Sequence, residues 1–261
     1  MWGRVGALLL RYLYLYRRSL ARSMEIFFWP VMDLLVWGFV SVYFQRVGAP
    51  RAVLFLLGGL IFWDVFYRSQ QAITLSLTEE IWVRNLLNVF IAPVRIGEVV
   101  LATCLLGLIR ALLSTAVLGI LALVLYQFDL LLLGPALLPY FASLLLFGWA
   151  VGMCTMAVIL RFGHAAEALI WGTPFLLQPI SAVFYPLAVL PSWLRGIALL
   201  FPSTHVFEGM RATLATGRPA FGPLVPAFAL NVLYLAAAGA FFGWMMGRVR
   251  EKGYLARLAM E

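Results

Sequence analysis

The chain has 261 residues, of which 64% are hydrophobic and only 11% are charged, and its formal net charge is +8. Soluble domains carry about 45–50% apolar and about 25% charged residues, so this composition excludes a soluble protein and predicts one integral membrane domain. Excess basic charge in a membrane protein sets topology and contacts anionic headgroups, which argues against nucleic-acid binding.

Residues 1–25 are predicted to form an amphipathic helix rather than a membrane span, because arginines recur throughout them. On a helical projection, Arg4, Arg11, Arg18 and Arg22 form one stripe opposite an apolar face. Such a helix lies in the headgroup plane of a membrane. The alternative is a solvated tail that only sets topology. The late start of the first apolar run indicates no cleavable signal peptide.

Six apolar segments follow, each long enough to cross a bilayer as a helix. They cover residues 26–44, 52–71, 98–126, 132–160, 166–190 and 222–247. With both termini in the cytoplasm, 13 basic residues fall on inner segments and five on outer ones, which is the bias of the positive-inside rule. The sequence therefore predicts an all-α polytopic membrane protein with six transmembrane helices and cytoplasmic N- and C-termini.

The connector between the second and third spans is predicted to hold a short cytoplasmic helix over residues 78–92. Thr78 suits its N-cap, Glu79 and Glu80 suit the positive end of the helix dipole, and Pro93 ends it. Two interpretations stay open: a loop helix packed on its own bundle, and a docking element for a soluble partner.

Three charged residues, Asp33, Asp64 and Arg110, lie within apolar segments. Each costs about 2.5–3.5 kcal/mol at the centre of a span. Asp64 and Arg110 each lie 12 residues after the start of their spans, which are antiparallel neighbours, so both are near mid-depth. We predict that they pair, either as a structural ion pair or as part of a substrate contact.

No enzyme signature is present in the sequence. Cys104 and Cys154 lie in apolar runs without the spacing of metal ligands, and His164 and His205 lie outside the predicted spans. The only lysine is Lys252, so the chain has no P-loop. We predict no catalytic residue, no metal site and no cofactor in this chain, and expect any ATP and Mg²⁺ to be bound by another chain.

The stretch FYPLAVLPSWLRGIALLFPSTHVFEGMRATL, residues 184–214, resembles the signature region of the ABC-2 family of bacterial export permeases. Ten positions match in order: Phe184, Tyr185, Pro186, Leu190, Pro191, Trp193, Leu194, Pro202, Glu208 and Arg211. The run RYLYLYRRSL, followed by WP at 29–30, is similar to the N-terminal region of O-antigen and teichoic-acid exporters. Ala21 and Arg22 stand where those exporters have Leu-Gly.

The resemblance implies a single ABC-2 type transmembrane domain over residues 1–261, in the bacterial cytoplasmic membrane. Such a permease is not itself an enzyme. It pairs with a second copy or a sister permease and binds two copies of a cytoplasmic ABC ATPase. The helix 78–92 would be the coupling helix, with ATPase contacts from Glu79, Glu80, Trp82, Arg84 and Leu87. Residues 187–217 would form an extracellular re-entrant helical hairpin between the fifth and sixth spans. The gate residues there would be Phe184, Tyr185, Pro186, Pro191, Trp193, Pro202, Glu208 and Arg211.

We therefore expect the permease subunit of an ATP-driven exporter, which moves an amphipathic substrate outward within membrane lipid. A lipid-linked saccharide and a drug or lipid are both compatible with the sequence. Aromatic residues line interface belts as well as binding channels, so Trp37, Trp63, Trp149 and Trp171 could face either lipid or a lumen. Two other classes stay open: a lipid-modifying membrane enzyme, and a non-transporting membrane anchor of a complex.

Overall fold

The computed structural model describes residues 1–49, 51–85, 88–89 and 93–251, and for residues 20–23 and 25 it describes the backbone only. Within these residues the chain forms α-helices and short 3-10 turns and no strand, which confirms the predicted all-α class. The helices are α1 (Trp2–Arg18), α2 (Leu20–Arg46), α3 (Ala52–Trp82), α4 (Ile96–Tyr126), α5 (Leu137–Phe162), α6 (Leu169–Ile180), α7 (Ser192–Ala198), α8 (Pro202–Thr216) and α9 (Leu224–Glu251). The 3-10 turns are Leu130–Ala136, Gly163–Ala166 and Leu187–Val189.

Five helical segments among the described residues are long and apolar enough to cross a membrane. They are Ile26–Arg46, Ala52–Trp82, Ile96–Tyr126, Leu130–Ala166 and Leu224–Glu251. These segments establish an integral, polytopic membrane protein. They coincide with five of the six predicted spans, although the second is eleven residues longer than the predicted 52–71.

The predicted span at 166–190 is not one continuous helix. Its helical part, α6, has 12 residues and extends roughly 18 Å, against about 30 Å for the apolar core of a bilayer. The helix ends at Ile180 with Ser181 as its C-cap, and Ala182 takes a positive φ of 53°. Pro186 then follows with extended backbone, and it has no N–H with which to donate a helical hydrogen bond.

Between α5 and α9 the chain returns along the bundle in several short pieces. α5 and α9 run parallel, since Asn231 near the start of α9 donates to Ser143 near the start of α5, and Tyr234 packs against Phe147 further on. The chain between the end of α5 and the start of α9 must therefore return over the length of α5. It returns through α6, the turn that follows, α7 and α8.

The helix α3 lies at the centre of the bundle. Of its most apolar window, 78% is buried, against at most 44% for the other candidate spans. Gly148 and Gly152 of α5 allow a close approach to it: a Cβ on Gly148 would lie 2.0 Å from Ser69 Oγ, and one on Gly152 would lie 2.9 Å from the Gln70 carbonyl oxygen. Small residues four positions apart are a common basis of helix packing in membranes.

The N-terminal helix α1 is shorter than the predicted 1–25, because Ser19 has extended backbone angles and separates it from α2. Its buried face consists of Val5, Leu8 and Tyr12. Leu9 and Leu13 also pack against the bundle, whereas Trp2 at the start of the helix is 69% exposed.

The predicted helix 78–92 does not begin at Thr78. α3 continues without a break to Trp82, and Thr78 Oγ1 donates to the Thr74 carbonyl oxygen at 2.7 Å inside it. The helix ends before Arg84, which has a φ of +54°. The sequence suggested an earlier end because polar residues begin at Ser69, but their side chains are buried and mostly bond within α3.

Candidate functional site

A cavity of about 530 Å³ lies between α2, α3, α6 and the turn after α6. Its aromatic lining consists of Trp29, Trp37, Trp63, Tyr67, Trp171, Phe175 and Phe184. Its polar lining consists of Asp33, Asp64, Arg68, Gln71 and Gln178. Cavities of this size, mostly apolar with a few polar groups, are typical of small-molecule sites.

Helical periodicity brings these side chains to the same wall. Trp29, Asp33 and Trp37 recur every four residues on α2 and therefore share one face. The same spacing recurs on α3 from Trp63 to Tyr67 and Gln71. This four-residue repeat of aromatic and polar residues is the sequence signal from which the cavity could have been predicted.

Three of the four tryptophans considered from the sequence face this lumen: Trp37, Trp63 and Trp171. Trp149 is not part of the cavity lining and packs against two clusters of buried apolar side chains instead. The sequence alone could not distinguish a tryptophan that lines the cavity from one that does not, because an apolar run does not show how its helix is rotated in the bundle.

The prediction that Asp64 and Arg110 form an ion pair is wrong. Asp64 Oδ1 lies 3.1 Å from Nε of Arg68, one turn further along α3, and Asp64 Oδ2 accepts a hydrogen bond from Ser114 Oγ of α4 at 2.5 Å. Arg110 lies over the ring of Tyr16 in α1, 4.7 Å from its centroid.

The register of α3 and α4 explains the error. Both helices have 31 residues and run antiparallel, with Gly107 of α4 packed closely against Ser69 and Ala72 of α3. This register sets Ser114 opposite Asp64 and moves Arg110 one turn away. The count of inner basic residues included Arg68, although it lies within the predicted span 52–71, and the structure buries it in α3.

At the C-terminal end of α6, Glu208 and Arg211 of α8 form hydrogen bonds with the backbone of the turn that follows α6. Glu208 Oε1 accepts hydrogen bonds from the Leu187 backbone N–H at 2.8 Å and from Arg211 Nη2 at 2.6 Å. Arg211 Nη1 donates to the Val183 carbonyl oxygen at 3.2 Å. That oxygen would lie 2.7 Å from a Cβ on Gly59, so the turn also packs closely on α3.

The other predicted gate residues occupy different places in this region. Phe184 stacks on Trp37 with ring centroids 4.3 Å apart and is the one member of the predicted gate set that lines the cavity. The Tyr185 hydroxyl donates to the Pro179 carbonyl oxygen. Pro186 and Pro191 precede short helical turns, Pro202 is the first residue of α8, and Trp193 is 69% exposed on α7.

The tip between α7 and α8 reaches deep into the bundle. Phe201 at this tip packs against Phe147, ten residues after the start of α5, and against Tyr234 of α9. From there α8 runs back towards the start of α5, where Thr213 is hydrogen-bonded to the Tyr140 hydroxyl at 3.0 Å. α7 and α8 thus form a hairpin whose tip points along the bundle.

The opposite end of the bundle is fastened by two ion pairs from α1. Arg11 lies 2.7 Å from Glu80 at the end of α3, and Arg4 lies 3.0 Å from Glu98 at the start of α4. Glu80 is only 2% exposed and also accepts a hydrogen bond from Asn85. Burial and the Glu80 carboxylate raise the pKa of the adjacent Tyr12, so its phenol stays protonated.

Of the predicted coupling residues, Glu80 therefore anchors α1 instead of facing outward. Trp82 is 45% exposed, and its Nε1 donates to Glu167 Oε1 at 2.7 Å, just before the start of α6. Glu79 is partly buried and Arg84 is exposed, whereas Leu87 lies outside the described residues.

Comparison with known protein families gives a match. A family model described as "ABC-2 type transporter" matches residues 7–215, which include α1 from Ala7 onward, the end of α3, the cavity and all but the last residue of the α7–α8 hairpin. No curated protein matches the chain.

Proposed function

Because the chain belongs to the ABC-2 type transporter family, we propose that it is the permease subunit of an ATP-driven exporter that moves an amphipathic substrate outward. ATP would be hydrolysed by a separate cytoplasmic ABC ATPase, because this chain contains no P-loop. The proposal includes the bacterial cytoplasmic membrane as its location, with both termini inside.

The observation that carries this proposal is the charged, aromatic cavity among helices that are apolar enough to cross a membrane. Charged groups at this depth are costly in lipid and mark substrate or ion pathways when they face a cavity. Asp33, Asp64 and Arg68 all line this cavity. We infer that it is part of the translocation path.

At the inner end, we propose that the turn after α3 contacts the ATPase through Trp82 and Arg84. The Trp82–Glu167 hydrogen bond links this turn to the start of α6, which lines the cavity. A movement imposed on the turn by two ATPases as they close would therefore reach the path through α6. The pairs that Arg4 and Arg11 make would keep α1 attached to the same end.

At the outer end, we propose that the α7–α8 hairpin re-enters the membrane from outside and closes the path. Its support is the depth of Phe201 and the bonds that hold the preceding turn to Glu208 and Arg211. Two apolar residues at the cavity rim, Trp29 and Phe175, are 62% and 63% exposed in the single chain. A second permease copy, facing the first across this rim, would cover them.

The test is reconstitution with a cytoplasmic ABC ATPase isolated together with this chain from its native membrane. The two proteins would be co-purified, placed in proteoliposomes and assayed for ATP-dependent movement of a lipophilic dye and of a fluorescent lipid. An ATPase variant that binds but does not hydrolyse ATP is the control. The proposal fails if no ATPase co-purifies with the chain and ATP moves neither probe.

A further inference from the structure

The cavity between α2, α3 and α6 carries unbalanced charge, and we propose that it binds a hydrophobic organic cation of drug size, with Asp33 as the counter-ion. The inference rests on the proposed function, because it names the substrate class of the same path. It depends on four features of the cavity: its charge balance, its unpaired amide, its aromatic walls and its size.

The charge balance of the lining is negative. Asp33 and Asp64 contribute two carboxylates and Arg68 one guanidinium. Arg68 is committed to Asp64, which also accepts from Ser114. No hydrogen bond or ion pair reaches Asp33 from the rest of the chain as far as the structure describes it, although it lies on a candidate span. A carboxylate at that depth is stabilised by a cation that enters the cavity.

The cavity contains a second polar group, the side-chain amide of Gln71. Gln71 is 3% exposed and lines the cavity, and its side-chain amide makes no hydrogen bond to any described residue. Buried amides are nearly always hydrogen-bonded, and leaving one unpaired costs about 1–3 kcal/mol. A ligand with a polar group near its charge, or a water that the ligand displaces, satisfies this amide.

The aromatic walls favour a cation over an anion. Trp29 and Trp37 lie one turn to either side of Asp33 on α2, and Trp171 and Phe175 lie on α6 across the cavity. Aromatic faces carry partial negative charge and attract organic cations, tryptophan most strongly, with about 0.5–2 kcal/mol per contact. The same faces repel a lipid-linked phosphate.

The cavity volume selects the size of the ligand. About 530 Å³ holds one drug-sized molecule, since such sites span roughly 300–1,000 Å³. Together with the charge balance and the aromatic walls, this size favours the drug between the saccharide and drug classes compatible with the sequence.

The inference is tested with two ions of the same shape and opposite charge, tetraphenylphosphonium and tetraphenylborate. Each is titrated calorimetrically into the purified full chain in detergent, with empty micelles as reference. We expect one saturable site for the phosphonium and none for the borate. Asp33→Asn weakens phosphonium binding roughly tenfold or more, and Asp33→Glu retains most of it. Asp129→Asn, which removes a carboxylate outside the cavity lining, has no effect.

The inference is overturned if the phosphonium does not bind, if the borate binds as tightly, or if Asp33→Asn binds like the wild type. The comparison of the two ions needs no variant, so it stands even where a substitution impairs folding. Whether the chain belongs to an exporter is tested separately, by ATP-dependent movement of the dye or lipid. An exporter without cation preference contradicts this inference alone.

Discussion

Arg68 neutralises Asp64 within a single helix: Nε of Arg68 lies 3.1 Å from Oδ1 of Asp64, and both side chains are buried. The pair enters the membrane on one span and needs no partner from another helix to balance its charge. The Ser114 hydroxyl of α4 then bonds the second carboxylate oxygen at 2.5 Å and joins the pair to its neighbour.

Removing one partner of this pair should be strongly destabilising. Arg68→Met leaves Asp64 buried without its counter-charge, and breaking a buried ion pair in this way costs roughly 3–5 kcal/mol. The thermal midpoint in detergent should fall well below that of the wild type, and the double variant Arg68→Met with Asp64→Asn should recover most of it. Arg161→Met, which removes an exposed arginine at the end of α5, is the control. A wild-type midpoint for Arg68→Met would show that the pair does not stabilise the fold.

Hydropathy located most of the helices but not their relative register. Its segments at 98–126 and 222–247 nearly coincide with α4 and α9, because crossing lipid requires long apolar runs. Hydropathy ended the second span at residue 71, because the polar residues after it, which the structure buries, have the composition of a loop. Which residues face each other across α3 and α4 depends on where Gly107 packs, and periodicity does not reveal that.

The candidate site was predictable only in part. The signature motif located the turn and the residues Glu208 and Arg211, which the structure brings together with Val183 and Leu187. It did not reveal that the pair bonds the backbone of that turn, a contact between residues more than 20 positions apart. Nor did it reveal the cavity, since four separate segments supply its walls.

The contact between α5 and α3 should not tolerate a side chain at Gly148. A Cβ there would lie 2.0 Å from Ser69 Oγ and 2.7 Å from the Phe66 carbonyl oxygen, so Gly148→Val forces the two helices apart. Overpacking of this kind costs about 1–3 kcal/mol, and more where backbone atoms obstruct the added side chain, as the Phe66 carbonyl does here. We expect little monodisperse protein by size-exclusion chromatography. Gly239→Val is the matched control, because no atom lies within 4 Å of a Cβ at that position of α9. Equal yields of the two variants would contradict the close packing.

The attachment of α1 should depend on Arg11 more than on its neighbouring arginines. Arg11→Gln removes the counter-charge of Glu80, which is buried and retains only Asn85 as a described partner. Amide hydrogen exchange in α1 should accelerate roughly tenfold, corresponding to about 1.5 kcal/mol of lost stability. Arg17→Gln, on the exposed side of the same helix, should leave the exchange unchanged. Equal exchange in the two variants would mean that apolar contacts alone hold α1.

The turn after α6 should loosen when Glu208 is truncated. Glu208→Ala leaves the Leu187 N–H without its acceptor and the buried Arg211 without its counter-charge, at a cost of about 1–3 kcal/mol. Hydrogen exchange at Leu187 should rise, whereas exchange in α3 stays as in the wild type. Glu208→Gln keeps one acceptor oxygen, so its exchange rate at Leu187 should lie between those of the wild type and Glu208→Ala. A protected Leu187 amide in Glu208→Ala would contradict the role of this carboxylate.

Trp82 should matter for coupling rather than for folding. Trp82→Phe keeps an aromatic ring but removes the Nε1–H that donates to Glu167 at 2.7 Å, so the end of α3 is no longer tied to the start of α6. Because Trp82 is 45% exposed, stability should change by less than about 1 kcal/mol. In the reconstituted complex, ATP hydrolysis should continue while the amount of probe moved per ATP falls several-fold. Trp244→Phe, a similarly exposed tryptophan on α9, should leave this ratio unchanged. If Trp82→Phe lowers hydrolysis and transport in equal proportion, the residue acts in binding the ATPase, and the link through Glu167 does not carry the movement.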